Sequence, residues 1–301
     1  MQQTFSLSLP RITLRISISL LIALLTILIL PAWTSFNTAL AEETISSLPS
    51  VQSTSTPSTS STEPAFDLTE VVHRAEELMR GQSHKGTITL EVIKPDWSRT
   101  ISMKIWGLGS EQSLVLITAP ARDKGNAMLK RGNEVWNWVS NIERVIKIPP
   151  SMMLQSWLGS DFTFDDMVKE SSILDDYDHK LLGTEVLNWK TDETTNGIDC
   201  YIVELTPKAD AAVVWGRIEI WIAKQEYWQL KVRYYDEDGE PTREMRNTDI
   251  RDLGGRRIPT RWELTPFDKP GNRTVFSYQN MEFGADLEES FFSISSLKRL
   301  R

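Results

Sequence analysis

The side chains that most often carry catalysis or bind metals are few in this sequence and lie far apart. The three histidines are His73, His84 and His179, and the single cysteine is Cys200. Isolated histidines of this kind are most often surface residues, and Cys200 lies in an apolar alternation typical of a small, buried strand residue. The sequence has no Gly-x-Ser-x-Gly elbow, no phosphate-binding glycine loop and no His-Glu-x-x-His pair. It therefore predicts no catalytic residue, no metal site and no cofactor, and it favours a protein that is not an enzyme.

Two acidic clusters are the remaining candidates for metal binding. Residues 175–178 read Asp-Asp-Tyr-Asp, and residues 236–240 read Asp-Glu-Asp-Gly-Glu. The first cluster lacks the glycine and the distant glutamate of a calcium-binding EF-hand loop. The second has the Asp-Gly pair of a hairpin tip. Both are interpreted as solvated surface segments.

The composition excludes several classes of protein. The chain has 301 residues, 33 Lys and Arg against 41 Asp and Glu, a formal net charge of -8 and a pI near 5.1. A protein that coats nucleic acid needs a broad cationic face, so nucleic acid is not an expected partner. A single cysteine also rules out a disulfide within the chain.

The first 65 residues have the pattern of an exported protein. Arg11 and Arg15 precede an apolar run over 16–30, and the small-x-small sequence of residues 39–41 follows it. This pattern predicts a signal peptide over 1–41, cleaved before Glu42, and hence a periplasmic protein. An uncleaved anchor is the alternative, but the run is shorter than the roughly 20 residues of a spanning helix. Residues 42–65 are rich in Ser, Thr and Pro and are predicted to be a disordered linker.

The remaining residues, 66–301, are predicted to form one domain, mainly β with a few helices. A capping box at Asp67 and an apolar stripe indicate a first helix that ends at Gly81. Apolar and polar residues then alternate in run after run, separated by turn signals such as Asp238-Gly239 and Gly254-Gly255. No strand-helix-strand rhythm is present, so the sheet should be antiparallel. Alternating runs occur around residues 88–92, 101–105, 135–139, 201–205, 218–222, 228–234 and 258–264.

One segment interrupts the predicted sheet. Residues 148–170 begin after a strand that Pro149-Pro150 should end, and they hold several apolar side chains at close spacing. Ser160-Asp161 and the Thr163 to Asp166 stretch indicate helix starts. We expect this segment to lie over one face of the sheet as a plug or lid.

Three sequence blocks carry a resemblance to a known family. They are Gly132 to Val139, with a Trp-x-Trp strand, then Arg144 to Met153, with Arg-Val-Ile-Lys-Ile-Pro-Pro, then Trp157 to Met167, with Trp-Leu-Gly-Ser-Asp-Phe-Thr-Phe-Asp-Asp-Met. In this order and spacing they resemble the bacterial outer membrane lipoprotein-sorting proteins, a branch of the LolA-like superfamily. The resemblance extends from about Phe66 to the C-terminus. Asn137 and the Ser140-Asn141 pair depart from the family pattern.

The resemblance implies a fold and a function. The fold is a half-open antiparallel β-barrel of the LolA/LolB type, with helices covering its concave face. Its hollow accepts the acyl chains of lipoproteins or lipids in transit across the periplasm. The candidate lid or cavity residues are Trp136, Trp138, Met152, Met153, Trp157, Phe162, Phe164 and Met167. The alternative is that these side chains simply complete the core.

The resemblance also bears on how the lid is held and on the partners. The carriers use an arginine to hold the lid shut, and Arg122, Arg131 and Arg144 flank the matching blocks, although a solvent-facing role is the ordinary one for each. A monomeric carrier is the first hypothesis. A periplasmic accessory or sensory module, working with an inner-membrane exporter or an envelope-stress regulator, is the alternative.

Overall fold

A computed structural model describes residues 66–169, 173–189, 193–211 and 213–300. The predicted signal peptide and linker lie outside these residues. Four α-helices are described, α1 (Leu68–Arg80), α2 (Phe164–Lys169), α3 (Ile173–Asp176) and α4 (Ile294–Arg299). Within the described ranges, no helix combines the length and the apolar character needed to span a bilayer.

The described residues form one sheet of thirteen strands. In chain order the strands are β1 (Ser83–Ile93), β2 (Ser98–Leu108), β3 (Gln112–Ala119), β4 (Ala127–Arg131), β5 (Glu134–Val139), β6 (Arg144–Lys147), β7 (Tyr177–Leu187), β8 (Ile198–Pro207), β9 (Arg217–Ala223), β10 (Gln229–Tyr235), β11 (Pro241–Leu253), β12 (Arg256–Pro266) and β13 (Arg273–Phe283). The spatial order is β6-β5-β4-β3-β2-β1-β13-β12-β11-β10-β9-β8-β7, and every neighbouring pair is antiparallel. The sheet is therefore a meander whose first and last strands pair at its centre, and it stays open between β6 and β7.

The first helix forms as its sequence predicts. The Asp67 carboxylate accepts hydrogen bonds from the backbone N–H groups of Thr69 at 2.9 Å and Glu70 at 3.3 Å, which caps the N-terminus. At the other end Gly81 adopts a positive φ of 61° and donates its N–H to the Glu77 carbonyl oxygen at 2.8 Å. A side chain at position 81 would also collide with Arg256, since a Cβ there would lie 2.8 Å from its Nη2. Glycine at position 81 therefore allows both the positive φ and the close approach of Arg256 at this helix end.

The two faces of the sheet are covered by different parts of the chain. We call the face that packs against α1 the inner face. It presents alternate apolar residues of most strands, among them Leu90, Ile220 and Leu264, all fully buried with Val72 of α1 in the main core. The opposite, outer face is covered around β3–β5 by the C-terminal segment, through Phe292 and Leu297.

The connection between β6 and β7 joins the two edges of the sheet. β6 and β7 follow one another in the chain but lie at opposite edges, so the chain between them has to pass from one edge to the other. We call residues 148–169 the crossing segment. Most of its described apolar side chains belong to the same core cluster as the inner face, so it covers that face as the sequence predicted.

Candidate functional site

The aromatic side chains of the crossing segment pack onto the inner face of the sheet. Trp157, Phe162 and Phe164 are only 3–8% exposed. Trp157 stacks on Phe276 of β13 with 6.2 Å between ring centroids, and Phe162 meets the same ring edge-on at 4.8 Å. Aromatic pairs in these geometries add favourable contact beyond the area they bury. The segment therefore covers an apolar surface with an apolar surface of its own.

Three methionines of the crossing segment contact the same core. Met152, Met153 and Met167 are partly buried against it. Their unbranched thioether side chains can adapt to a surface whose partner changes. Six of the eight predicted site residues thus lie on the crossing segment and pack against the inner face.

Trp136 and Trp138 lie elsewhere. Alternation along β5 points Val135 into the main core, which places the two tryptophans on the outer face. There they join the cluster under Phe292 and Leu297 at the C-terminus. The sequence prediction grouped them with the crossing segment because the blocks are close in sequence, but the parity of β5 separates them.

A tight turn shapes the tip of the crossing segment. The backbone N–H of Trp157 donates to the Phe162 carbonyl oxygen at 2.7 Å, and the Ser160 hydroxyl donates to the Trp157 carbonyl oxygen at 2.6 Å. Leu158 and Gly159 both adopt positive φ, 54° and 72°. This conformation is unusual for leucine, so the turn is held by its surroundings. The helix start predicted at Ser160-Asp161 is therefore wrong, because a turn occupies these residues.

The second predicted helix start is confirmed. The Thr163 hydroxyl accepts a hydrogen bond from the Asp166 N–H at 3.2 Å, and Asp166 Oδ2 accepts one from the Thr163 N–H at 2.7 Å. This reciprocal cap begins α2 at Phe164. It also fixes the Asp166 carboxylate in place, next to the sheet.

Asp166 forms a buried ion pair with Arg243 of β11. The guanidinium binds both carboxylate oxygens, with Nη1 to Oδ2 at 2.8 Å, and the two side chains are 6% and 10% exposed. Arg243 also lies over the rings of Trp215 at 4.2 Å and Tyr234 at 4.3 Å. Burial lowers the pKa of Arg243, but the charge and hydrogen bonds of Asp166 outweigh it, so the pKa is raised and the side chain stays cationic.

A second buried ion pair holds the turn itself. Lys94, just after β1, binds Asp161 Oδ1 through Nζ at 2.6 Å, with the two side chains 15% and 4% exposed. Thr274 of β13 donates its hydroxyl to Asp161 Oδ2 at 2.8 Å and accepts the Asp161 N–H at 2.9 Å. Arg99 of β2 donates to the Leu158 carbonyl oxygen. We call this set of contacts, together with Arg243–Asp166, the latch.

Sequence reasoning missed the cations of the latch. Arg122, Arg131 and Arg144, which flank the matching blocks, are all exposed, in line with the ordinary solvent-facing role. Arg243 lies in a polar run, and only its parity with Met245 places it on the inner face. The sequence could have indicated Arg243 only as a polar residue on the side of a strand that faces the core. β11 has too few apolar residues to show which of its sides that is.

The candidate reactive groups are dispersed. Among the described residues, no cluster of His, Cys, Asp and Glu could hold a metal ion. Cys200 is fully buried, as predicted, and burial first, then nearby acidic groups, raise its pKa to about 12. His84 departs from the predicted surface location, because it is partly buried with Nδ1 3.1 Å from the Arg80 carbonyl oxygen.

A cleft on the outer face lies apart from the crossing segment. It has a volume of about 420 Å³ and is lined by side chains of β1, β2 and β13, among them Lys85, Lys104 and Trp106. Strand pairing places these residues on the side of the sheet opposite to Ile88 and Met103, which belong to the main core. The cleft is open and holds both Lys85 and its ion-pair partner Glu282, so it does not resemble an apolar binding hollow.

Comparisons with known proteins agree on the fold. A family model described as "Uncharacterized protein" matches residues 109–299. A DUF1329 family protein from Desulfovibrio piger is 22% identical with a TM-score of 0.67, covering 76% of this chain and 97% of that one. A structure described as an outer membrane lipoprotein-sorting protein domain, from Vibrio parahaemolyticus, is 21% identical with a TM-score of 0.66, covering 77% and 98%. A LolA superfamily protein from Nitrosomonas europaea is 22% identical with a TM-score of 0.64, covering 77% and 100%.

These likenesses establish the architecture. The open antiparallel sheet with helices against its inner face is the half-open barrel of the LolA superfamily, as the sequence resemblance predicted. No curated protein matches the sequence.

Proposed function

The chain belongs to the family whose model matches residues 109–299 and has the LolA-superfamily fold, and from this premise we propose that it is a periplasmic carrier of acyl chains in lipoprotein or lipid sorting. The ligand's chains would lie on the inner face of the sheet, where the crossing segment lies in this structure. The signal peptide predicted over 1–41 supports the periplasmic location. Two solved structures of the same fold carry lipoprotein-sorting or LolA descriptions, which supports the sorting role.

The observation that carries the proposal is how the crossing segment is attached. Its apolar residues pack on the inner face, and its ion pairs to the sheet lie at its turn and at the start of α2. Apolar contacts are non-directional, so acyl chains can replace Trp157 and Phe162 on the same surface. Each buried CH₂ group of a chain contributes about 0.8 kcal/mol, so long chains can compensate for the displaced side chains. No covalent chemistry is required.

A reversible covalent lock tests whether the segment must move. Asp161 and Thr274 are in direct contact, with the Asp161 backbone N–H 2.9 Å from the Thr274 hydroxyl, so these two positions are chosen for an engineered cysteine pair. We expect the oxidised Asp161→Cys/Thr274→Cys variant to lose uptake of a fluorescent fatty acid and to regain it on reduction. Cys200 should not interfere, since it is fully buried and its pKa is raised to about 12.

The two single-cysteine variants are the matched controls. Each removes part of the polar contacts that the double variant loses and does not join the segment to the sheet, so each should bind the probe equally well with and without reductant. Equal binding by the oxidised and reduced double variants, with the disulfide verified by mass, would remove the inner face under the crossing segment from the site.

A further inference from the structure

We infer that the ligand of the proposed acyl site is an anionic amphiphile, whose phosphate or carboxylate headgroup is held by Lys94 and Arg243. This inference rests on the proposed function and specifies its ligand class. In the structure those two cations bind Asp161 and Asp166, both supplied by the crossing segment. The carboxylates of the segment occupy the positions that a ligand's anionic group would take.

The cations stand together at one rim of the sheet. β1 ends there at Ile93, and its antiparallel neighbours β2 and β13 begin there. β12 ends at the same rim, and there it pairs with the start of β11, which carries Arg243. Lys94 and Arg243 both reach Asp161, Lys94 through the carboxylate at 2.6 Å and Arg243 through the backbone oxygen at 3.4 Å. They are therefore near enough to contact one headgroup.

The cations also face the correct side of the sheet. Lys94 shares the strand parity of Val92, and Arg243 shares that of Met245, and both apolar residues belong to the inner-face core. Arg99 stands on the same parity as Ile101 and donates to the Leu158 carbonyl oxygen. Chains lying on the inner face would therefore end at a cationic rim.

If the crossing segment moved away and no ligand took its place, Lys94 and Arg243 would lose the carboxylates that pair with them. Arg243 is 6% exposed and lies against two aromatic rings, and among the described residues its Nε has no hydrogen-bond partner. An unpaired buried charge is costly, and a neutral ligand offers nothing to replace Asp166. A phosphate or carboxylate replaces it directly, because guanidinium binds both groups through two parallel hydrogen bonds.

Ligands that differ only in headgroup charge test the inference. Lysophosphatidic acid and monoacylglycerol of equal chain length, which differ only by the phosphate group, would compete with a fluorescent fatty alcohol bound to the full mature protein, at concentrations at which both lipids are monomeric. We expect the anionic lipid to bind at least about tenfold more tightly, as for a charge-assisted contact in a buried site. Glycerol 3-phosphate, which has no chain, should not compete. Displacement by it at similar concentrations would identify a free phosphate compound as the ligand and overturn the headgroup assignment.

Variants assign the preference to the named cations. Lys94→Gln combined with Asp161→Asn, and Arg243→Gln combined with Asp166→Asn, leave no buried carboxylate without its cation. Each double variant should lose most of the preference while still binding monoacylglycerol. Arg122→Gln is the matched control, since Arg122 is an exposed arginine on the β3–β4 connection, and it should keep the preference. Equal affinity of the native protein for both lipids, or an undiminished preference in both cation variants, would overturn the inference and leave acyl binding standing. Failure of both lipids to bind would instead contradict the proposed function.

Discussion

At the scale of single residues, His84 shows how a position between two elements creates a pH-sensitive group. It lies at the start of β1, within reach of the last carbonyl of α1, and its ring packs on Gly107. A Cβ at position 107 would lie 2.3 Å from His84 Cε1, so only glycine leaves room for the imidazole. Burial lowers the pKa of His84, and the charges of Arg80 and Arg256 lower it further. The hydrogen bond to the Arg80 carbonyl opposes this shift but does not reverse it.

This shift predicts a loss of stability in mild acid. The unfolded chain takes up a proton near the ordinary histidine pKa of about 6.5, while the folded chain resists it, so stability falls as the pH drops below about 6.5. We expect the urea-unfolding free energy to decline less between pH 7 and pH 5 in His84→Gln than in the native protein.

His73→Gln is the control for this measurement, because His73 is exposed on α1 and its side chain is half accessible. It should keep the native decline. A His84→Gln protein with the same dependence on pH as the native chain would show that another group is responsible.

At the scale of elements, the crossing segment depends on its ion pairs as much as on its aromatic residues. Asp166 and Arg243 are both nearly excluded from solvent, so removing either one leaves a buried charge. Such changes typically cost about 3–5 kcal/mol, whereas replacing both partners by neutral residues costs much less.

A double-mutant cycle checks this coupling. Asp166→Asn and Arg243→Met should each lower the thermal midpoint strongly, and the double variant should be more stable than the sum of the two losses predicts, by at least about 1 kcal/mol. Glu70→Gln and Arg74→Met form the matched control on α1, where the pair is about half exposed at 2.6 Å and should show no measurable coupling. Additive losses at Asp166 and Arg243 would mean that the pair does not hold the segment.

The elements differ in how far the sequence predicts them. Strands with one solvated face, such as β1 and β2, alternate clearly and were predicted. β3 is buried on both faces, since the C-terminal segment covers its outer side, and so it reads as a continuous apolar run. β7 is mostly exposed, and β11 carries charged residues on its outer face, so neither shows the alternation that predicts a strand.

The candidate site was predictable only in part, for the same reason. The apolar spacing of Trp157, Phe162 and Phe164 indicates a covering segment, and the three blocks indicate the family. Lys94 and Arg243 are 149 positions apart in the numbering, and only the central β1–β13 pairing brings their strands to one rim. A local sequence pattern does not show which of two distant strands will pair with each other.

At the scale of the whole molecule, the protein is an open sheet whose apolar inner face must be covered. Here the sheet ends at β6 and β7, and α1 and the crossing segment cover the inner face in this structure. We propose that acyl chains take the place of the crossing segment on this face when ligand is bound.

Native mass spectrometry of the mature protein, purified without detergent from the envelope of an expressing bacterium, tests that claim most directly. We predict a polypeptide that begins at Glu42 and carries a non-covalent adduct with the mass of an acyl lipid, which is released when the protein is denatured. The oxidised Asp161→Cys/Thr274→Cys protein should carry no such adduct. A spectrum that contains only the bare polypeptide for both proteins would contradict the claim.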